Sequence, residues 1–219
     1  ATPSPLHGRK VAAVGLGTGT LAAWGRKGDE FHFYEINDNV VRIAQETFHY
    51  LRDSQAKIDI RMGDARLTLE KLPPQNYDVI ILDAFSSDAI PVHLLTLEAF
   101  ATYRKHLRPG GVIAVHISNR YLNLEPVVMR AAEHAKLSAL YFNNSGEVPE
   151  EADTEDAYSS DWILLSDDPA TLRQTSLAKH GTVPKPPADG IGPWTDERSD
   201  LLHVLVADDD SFIAWLKNL

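Results

Sequence analysis

The 219-residue chain contains no cysteine. That excludes disulfides, thiolate-held metals and a cysteine nucleophile within it. Nor does it contain the run of roughly 18 apolar residues that a membrane span needs, or a secretory-signal pattern at its start. No direct membrane insertion by this chain is expected, and the expected location is cytoplasmic. Positive charge is also scarce. There are 21 Lys and Arg against 31 Asp and Glu, a net charge of −10. Wrapping nucleic acid needs a cationic surface, so no nucleic-acid partner is expected, and a cationic small molecule fits better. The nine histidines include no H-x-x-x-H pair, so no metal is expected. Ser86 and Ser87 lack the G-x-S-x-G elbow of many hydrolases.

What is present is an alternation of short apolar runs and longer amphipathic ones. Residues 10–16, 30–35, 57–61, 78–82 and 112–117 read as strands. Helices are expected to begin at 20–26 and to cover 39–50, 65–72, 94–106 and 126–135. In the second of these, Val40, Val41, Ile43, Ala44 and Phe48 are expected to face inward, and Pro109-Gly110-Gly111 stops the fourth. Five βα repeats with continuously apolar strands predict a doubly wound, mostly parallel α/β sheet with helices on both faces. Residues 138–142 and 162–165 add a C-terminal antiparallel strand pair, joined by an acidic, loose connection over 147–156. Residues 182–192 read as irregular, Ser199 as the cap of a short helix through 205, and 211–216 as a terminal helix. With no repeat or second core in the pattern, residues 1–219 are expected to form a single domain.

The chemistry-bearing residues gather where strands end. Gly15, Gly17 and Gly19 form a G-x-G-x-G turn after the first strand, where glycines permit a tight turn and close ligand approach. The spacing differs from the G-x-G-x-x-G of dinucleotide binders. Glu35 ends the second strand, where a carboxylate can accept from both ribose hydroxyls; its plain alternative is a solvated strand end. Asp64, followed by Ala65, ends the third and can accept from an adenine amino group or simply cap a helix. Strand ends of an open α/β sheet share one crevice, so these features converge on a nucleoside site. Asp83 ends the fourth strand and Asp88 follows in a loop. Two acids beside such a site suit an amine acceptor, whose proton must be removed and whose charge must be bound. Asn119 and Tyr121, after the fifth strand, can hydrogen-bond a substrate or cap their own loop. Asp196, in Trp194-Thr195-Asp196, can supply a third acid.

The segments VGLGTGT, YEIND, GDA and DVIILD, in this order, resemble the class I S-adenosylmethionine-dependent transferase fold. The stretch from Leu82 through DAFSSDAIPVHLL to Thr96 resembles spermidine synthases (polyamine aminopropyltransferases), including bacterial forms fused to membrane helices. The likeness covers residues 10–119. It implies S-adenosylmethionine or its decarboxylated form as co-substrate. Glu35 would be on the ribose, Asp64 and Ala65 on the adenine, and the glycines along the methionine-derived tail. Asp83 matches the first member of the family's acidic pair and would be the base, with Asp88 as a second, substrate-binding acid. The family's acids lie three residues apart, whereas here the gap is five, and the family's N-terminal β-rich cover of the polyamine is expected to be missing from these residues. The chain can therefore be a fragment of a larger, membrane-fused protein, or take a different substrate, and a homodimer is compatible with it. Small-molecule methyl transfer on the same fold is one alternative, and a non-catalytic nucleoside-sensing module another. NAD binding is a further one, disfavoured by the glycine spacing.

Overall fold

In the computed structural model the described residues are 8–84, 91–143, 160–187 and 190–206. Asp88, the 147–156 connection and the 211–216 helix lie outside them. The strands are β1 (Lys10–Val14), β2 (Glu30–Glu35), β3 (Lys57–Met62), β4 (Tyr77–Leu82), β5 (Leu107–His116), β6 (Ser138–Asn143) and β7 (Asp161–Ser166). They form one sheet in the order β3-β2-β1-β4-β5-β7-β6, with β1 to β5 parallel and β7 antiparallel to both β5 and β6. The doubly wound architecture and its C-terminal antiparallel pair are thus as the sequence implies. Among the parallel strands chain order runs outward from β1 in both directions, which puts the topological switch point between β1 and β4.

Side-chain alternation along β1 divides the core in two. Val11 and Ala13 join Phe31, Phe33 and Ala44 on one face; Ala12 and Val14 join Tyr34, Ile80, Leu82 and Ile113 on the other. The first face is covered by α1 (Asp38–Glu46), the second by α3 (Ala65–Lys71), α4 (Leu97–His106) and α5 (Glu125–Ala135). α1, α3 and α4 each start at a side-chain cap. Asn37 accepts from the Asn39 N–H, Asp64 from the Leu67 N–H and Thr96 from the Ala99 N–H.

Several local expectations are corrected. Residues 20–24 form a 3-10 helix, and the stretch read as one helix over 39–50 splits into α1 and a short α2 (Tyr50–Asp53). Ile43 is 47% exposed rather than inward, because the narrow contact of α1 with the sheet buries Ala44 alone among its residues. Pro109-Gly110-Gly111 does not separate helix from strand: β5 begins at Leu107, directly after α4. Among the described residues beyond Ser199 the helical structure is a 3-10 turn at Leu202–Val204, followed by a bridge from Leu205 to Leu122.

Candidate active site

The parallel register aligns the carboxyl ends of the central strands. Val14 lies opposite Tyr34 and Leu82, and Leu82 opposite Val115. The residues that follow these positions therefore stand side by side. A cavity of about 500 Å³ opens there, lined among others by Gly15, Gly17, Glu35, Asp64, Ala65 and Asp83.

Its floor is a glycine turn. Gly15, Gly17 and Gly19 have φ of 97°, 54° and 82°, in the left-handed region. A Cβ on Gly15 would stand 2.4 Å from the Asp83 carbonyl oxygen, so the end of β4 requires glycine there. On Gly17 a Cβ would meet nothing within 4 Å, and this residue lines open cavity. Glu35 is 9% exposed. Its Oε2 accepts from the Leu16 N–H (3.0 Å) and its Oε1 from the Ile36 and Asn37 N–H groups (both 2.9 Å). The carboxylate thus ties the glycine turn to the end of β2 while bordering the cavity. Asp64 caps α3 through Oδ1, and its Oδ2 lies 2.7 Å from His93 Nε2. The helix-capping alternative for Asp64 is realised, and its second oxygen is held by His93 beside the cavity wall.

Asp83 closes the far side. Its N–H donates to the Val14 carbonyl at 3.0 Å, and its Oδ1 lies 2.8 Å from His116 Nδ1. The ring of His116 stacks on Trp162 with centroids 4.7 Å apart.

The remaining expected site residues are elsewhere. Asn119 Oδ1 accepts from the Tyr121 and Leu122 N–H groups, which is loop capping, and neither Asn119 nor Tyr121 lines the cavity. Asp196 does not reach the cavity either. It pairs with Arg66 and accepts from Thr96 Oγ1 at 2.8 Å, bordering a neighbouring polar hollow. The Arg66 guanidinium holds the Asp196 carboxyl at about 2, and Asp196 in turn raises Arg66. The charge of Arg66, only 8% exposed, needs that partner. Trp194, two residues before Asp196, is buried in the core.

Sequence reasoning missed His93, His116 and Arg66. His116 had a signal: it ends the strand next to β4, so the register alone sets it beside Asp83. Arg66 and His93 had none, because their partners are 130 and 29 residues away in the chain.

The methyltransferase small domain family model matches residues 2–140. The chain belongs to that family. The protein is also spermidine synthase-like, on the class I S-adenosylmethionine-dependent fold. The polyamine aminopropyltransferase of Vibrio vulnificus is 31% identical over 112 residues, 49% of this chain and 37% of the relative. Putrescine N-methyltransferase 2 of Nicotiana tabacum is 28% identical over 127 residues, 56% of this chain and 35% of the relative. The chain therefore spans little more than a third of these curated relatives, both of which are transferases. A probable spermidine synthase from Corynebacterium glutamicum superposes with a TM-score of 0.60 at 22% identity, over 88% of this chain and 74% of that one. Among the described residues no helix is long and apolar enough to cross a membrane.

Proposed function

We propose that this small domain transfers an aminopropyl group from decarboxylated S-adenosylmethionine to an amine acceptor. The observation that carries the reading is that Asp83 shares one cavity with the Gly15–Gly17 turn and Glu35, so a carboxylate stands beside a nucleoside-sized site. The residues suit such a nucleoside. Gly17 leaves open space where a side chain would intrude, Glu35 borders the cavity as a ribose acceptor, and Asp64 with Ala65 lines the adenine end.

When bound, the donor supplies a carbon whose bond to sulfonium sulfur breaks as the carbon–nitrogen bond forms, the electron pair leaving on a neutral thioether. The chain's contribution is the proton. An amine near pKa 10 attacks only when neutral, so Asp83 would orient it and accept its proton. Glu35, Asp64 and Asp83 make the cavity wall anionic, and no Lys or Arg is among its described lining residues. That favours a donor without a carboxylate and an acceptor bearing positive charge. Asp88, outside the described residues, is proposed as the second substrate-binding acid. Residues 1–219 are proposed to act as one unit.

Methyl transfer to an amine from S-adenosylmethionine is the second reading, supported by the family match and the putrescine N-methyltransferase relative. Steady-state kinetics with putrescine and an amine panel, using each donor in turn, decides. Aminopropyl transfer is expected with the decarboxylated donor. Methyl transfer with S-adenosylmethionine would promote the second reading. Tight binding of methylthioadenosine in calorimetry, with no turnover of any amine, would make the domain a nucleoside-sensing module.

A further inference from the structure

The His116–Asp83 contact joins two strands that the fold holds firmly in register. Leu82 pairs with Val115 across β4 and β5, and His116 pairs with Trp162 across β5 and β7. Backbone pairing therefore fixes His116 directly on the β7 side, and on the β4 side fixes the residue just before it. Its ring is fixed as well, stacked on Trp162 at 4.7 Å with an interplanar angle of 18°. A ring held in this way presents Nδ1 to one oxygen of Asp83, at 2.8 Å. Asp83 itself is the less constrained partner, with its side chain 40% exposed against 22% for His116. Among the described residues, Asp83 Oδ2 meets no donor.

We infer that His116 is a positioning residue for Asp83: its Nδ1–H holds Oδ1 so that Oδ2 is turned toward the acceptor. An ionised carboxylate only accepts, so the hydrogen of this contact sits on Nδ1. The hydrogen bond from the partner thereby sets the imidazole tautomer. An exposed aspartate otherwise rotates about two side-chain bonds. Fixing one oxygen confines the other to a narrow arc, which matters because proton acceptance requires geometry within hydrogen-bond reach. The inference rests on the transferase reading, since that reading gives Oδ2 a proton to take. His116 does not line the cavity, so it acts through Asp83 and not on the acceptor.

Two substitutions separate the ring from the bond. His116→Phe keeps the stack on Trp162 and removes the donor; His116→Asn loses the stack but keeps an N–H near the place of Nδ1. With a turned-over amine, His116→Phe is expected to lower kcat about 10-fold or more, with the amine KM and nucleoside affinity within about 2-fold of wild type. His116→Asn should recover to within about 3-fold of wild-type kcat. A wild-type kcat for His116→Phe, or no recovery in His116→Asn, would overturn the inference. A second readout needs no turnover. In 15N NMR at about pH 8.5, where an ordinary imidazole is neutral, the His116 ring should carry its hydrogen on Nδ1, and Asp83→Ala should shift it toward Nε2. A tautomer indifferent to Asp83→Ala would refute the contact. If the wild type moves neither aminopropyl nor methyl groups, the transferase reading falls, while the NMR result still decides whether His116 fixes Asp83.

Discussion

The two halves of the cavity rim are built differently. On the β1–β2 side the key acid, Glu35, is 9% exposed and accepts three backbone N–H groups. On the β4–β5 side Asp83 has its side chain 40% exposed and its carboxylate held by another side chain, His116. The first half is wired into the main chain, as would suit the proposed nucleoside site, which must hold one constant shape. The second leaves one carboxylate oxygen without a donor among the described residues, as the proposed amine acceptor would require. Mutations should therefore fail in different ways on the two sides, through stability and affinity on one and through turnover on the other.

The largest expected effect belongs to the turn that joins the halves. Gly15→Val would place a branched side chain against the Asp83 carbonyl at a φ of 97°. A loss of about 3 kcal/mol or more of stability is expected, together with nucleoside binding. Urea unfolding at wild-type stability would show that β1 and β4 do not need this close approach.

Next comes Asp83→Asn, which keeps shape but removes the proton acceptor. Turnover should fall about 100-fold or more while nucleoside affinity is retained. Kinetics and calorimetry on the same variant measure both, and a parallel loss of affinity would erase the proposed division of labour.

Glu35→Gln tests the other side. It weakens an acceptor of several N–H groups, and nucleoside affinity should fall by about 1–2 kcal/mol with a smaller loss of stability. Unchanged affinity in titration would remove Glu35 from the site.

The smallest effect is expected away from the cavity, at Asp196. Its carboxyl is held at about 2 by Arg66, below the ordinary value near 4, so its stabilisation is present above about pH 4 and lost as pH falls toward 2. The side chain is 42% exposed, which limits the effect through solvent screening. Asp196→Asn should cost about 1 kcal/mol at neutral pH, with the gap to wild type closing in acid. A gap that persists at about pH 2 would mean the carboxylate charge is not what holds Arg66.

The nucleoside side was the more legible in the sequence, for a physical reason. A tight turn, a strand-end acid and a helix cap are local events, and apolar periodicity alone orders the strands that carry them. The chemistry side depends on what meets across the sheet. The sequence showed Asp83, but not that His116, 33 residues later, would hold it, although a parallel β4–β5 pairing implies that neighbour. Asn119 looked like a substrate ligand because its strand ends at the right edge. Only the folded loop shows its oxygen turned to backbone N–H groups. Asp196 was drawn toward the site by its acidity and is held off by Arg66, a partner 130 residues away that periodicity cannot reveal.

The sheet order has a consequence for how the chain comes into being. In space β7 stands between β5 and β6, yet it is the last of the three to leave the ribosome. During synthesis β6 therefore emerges before the strand it is meant to lie against, with its main-chain donors and acceptors unspent. His116 likewise waits for Trp162, on the same late strand, before its ring has a surface to rest on. The glycine turn and Glu35 can meet early in translation, whereas the setting of Asp83 is finished only once residues 161–166 have been added.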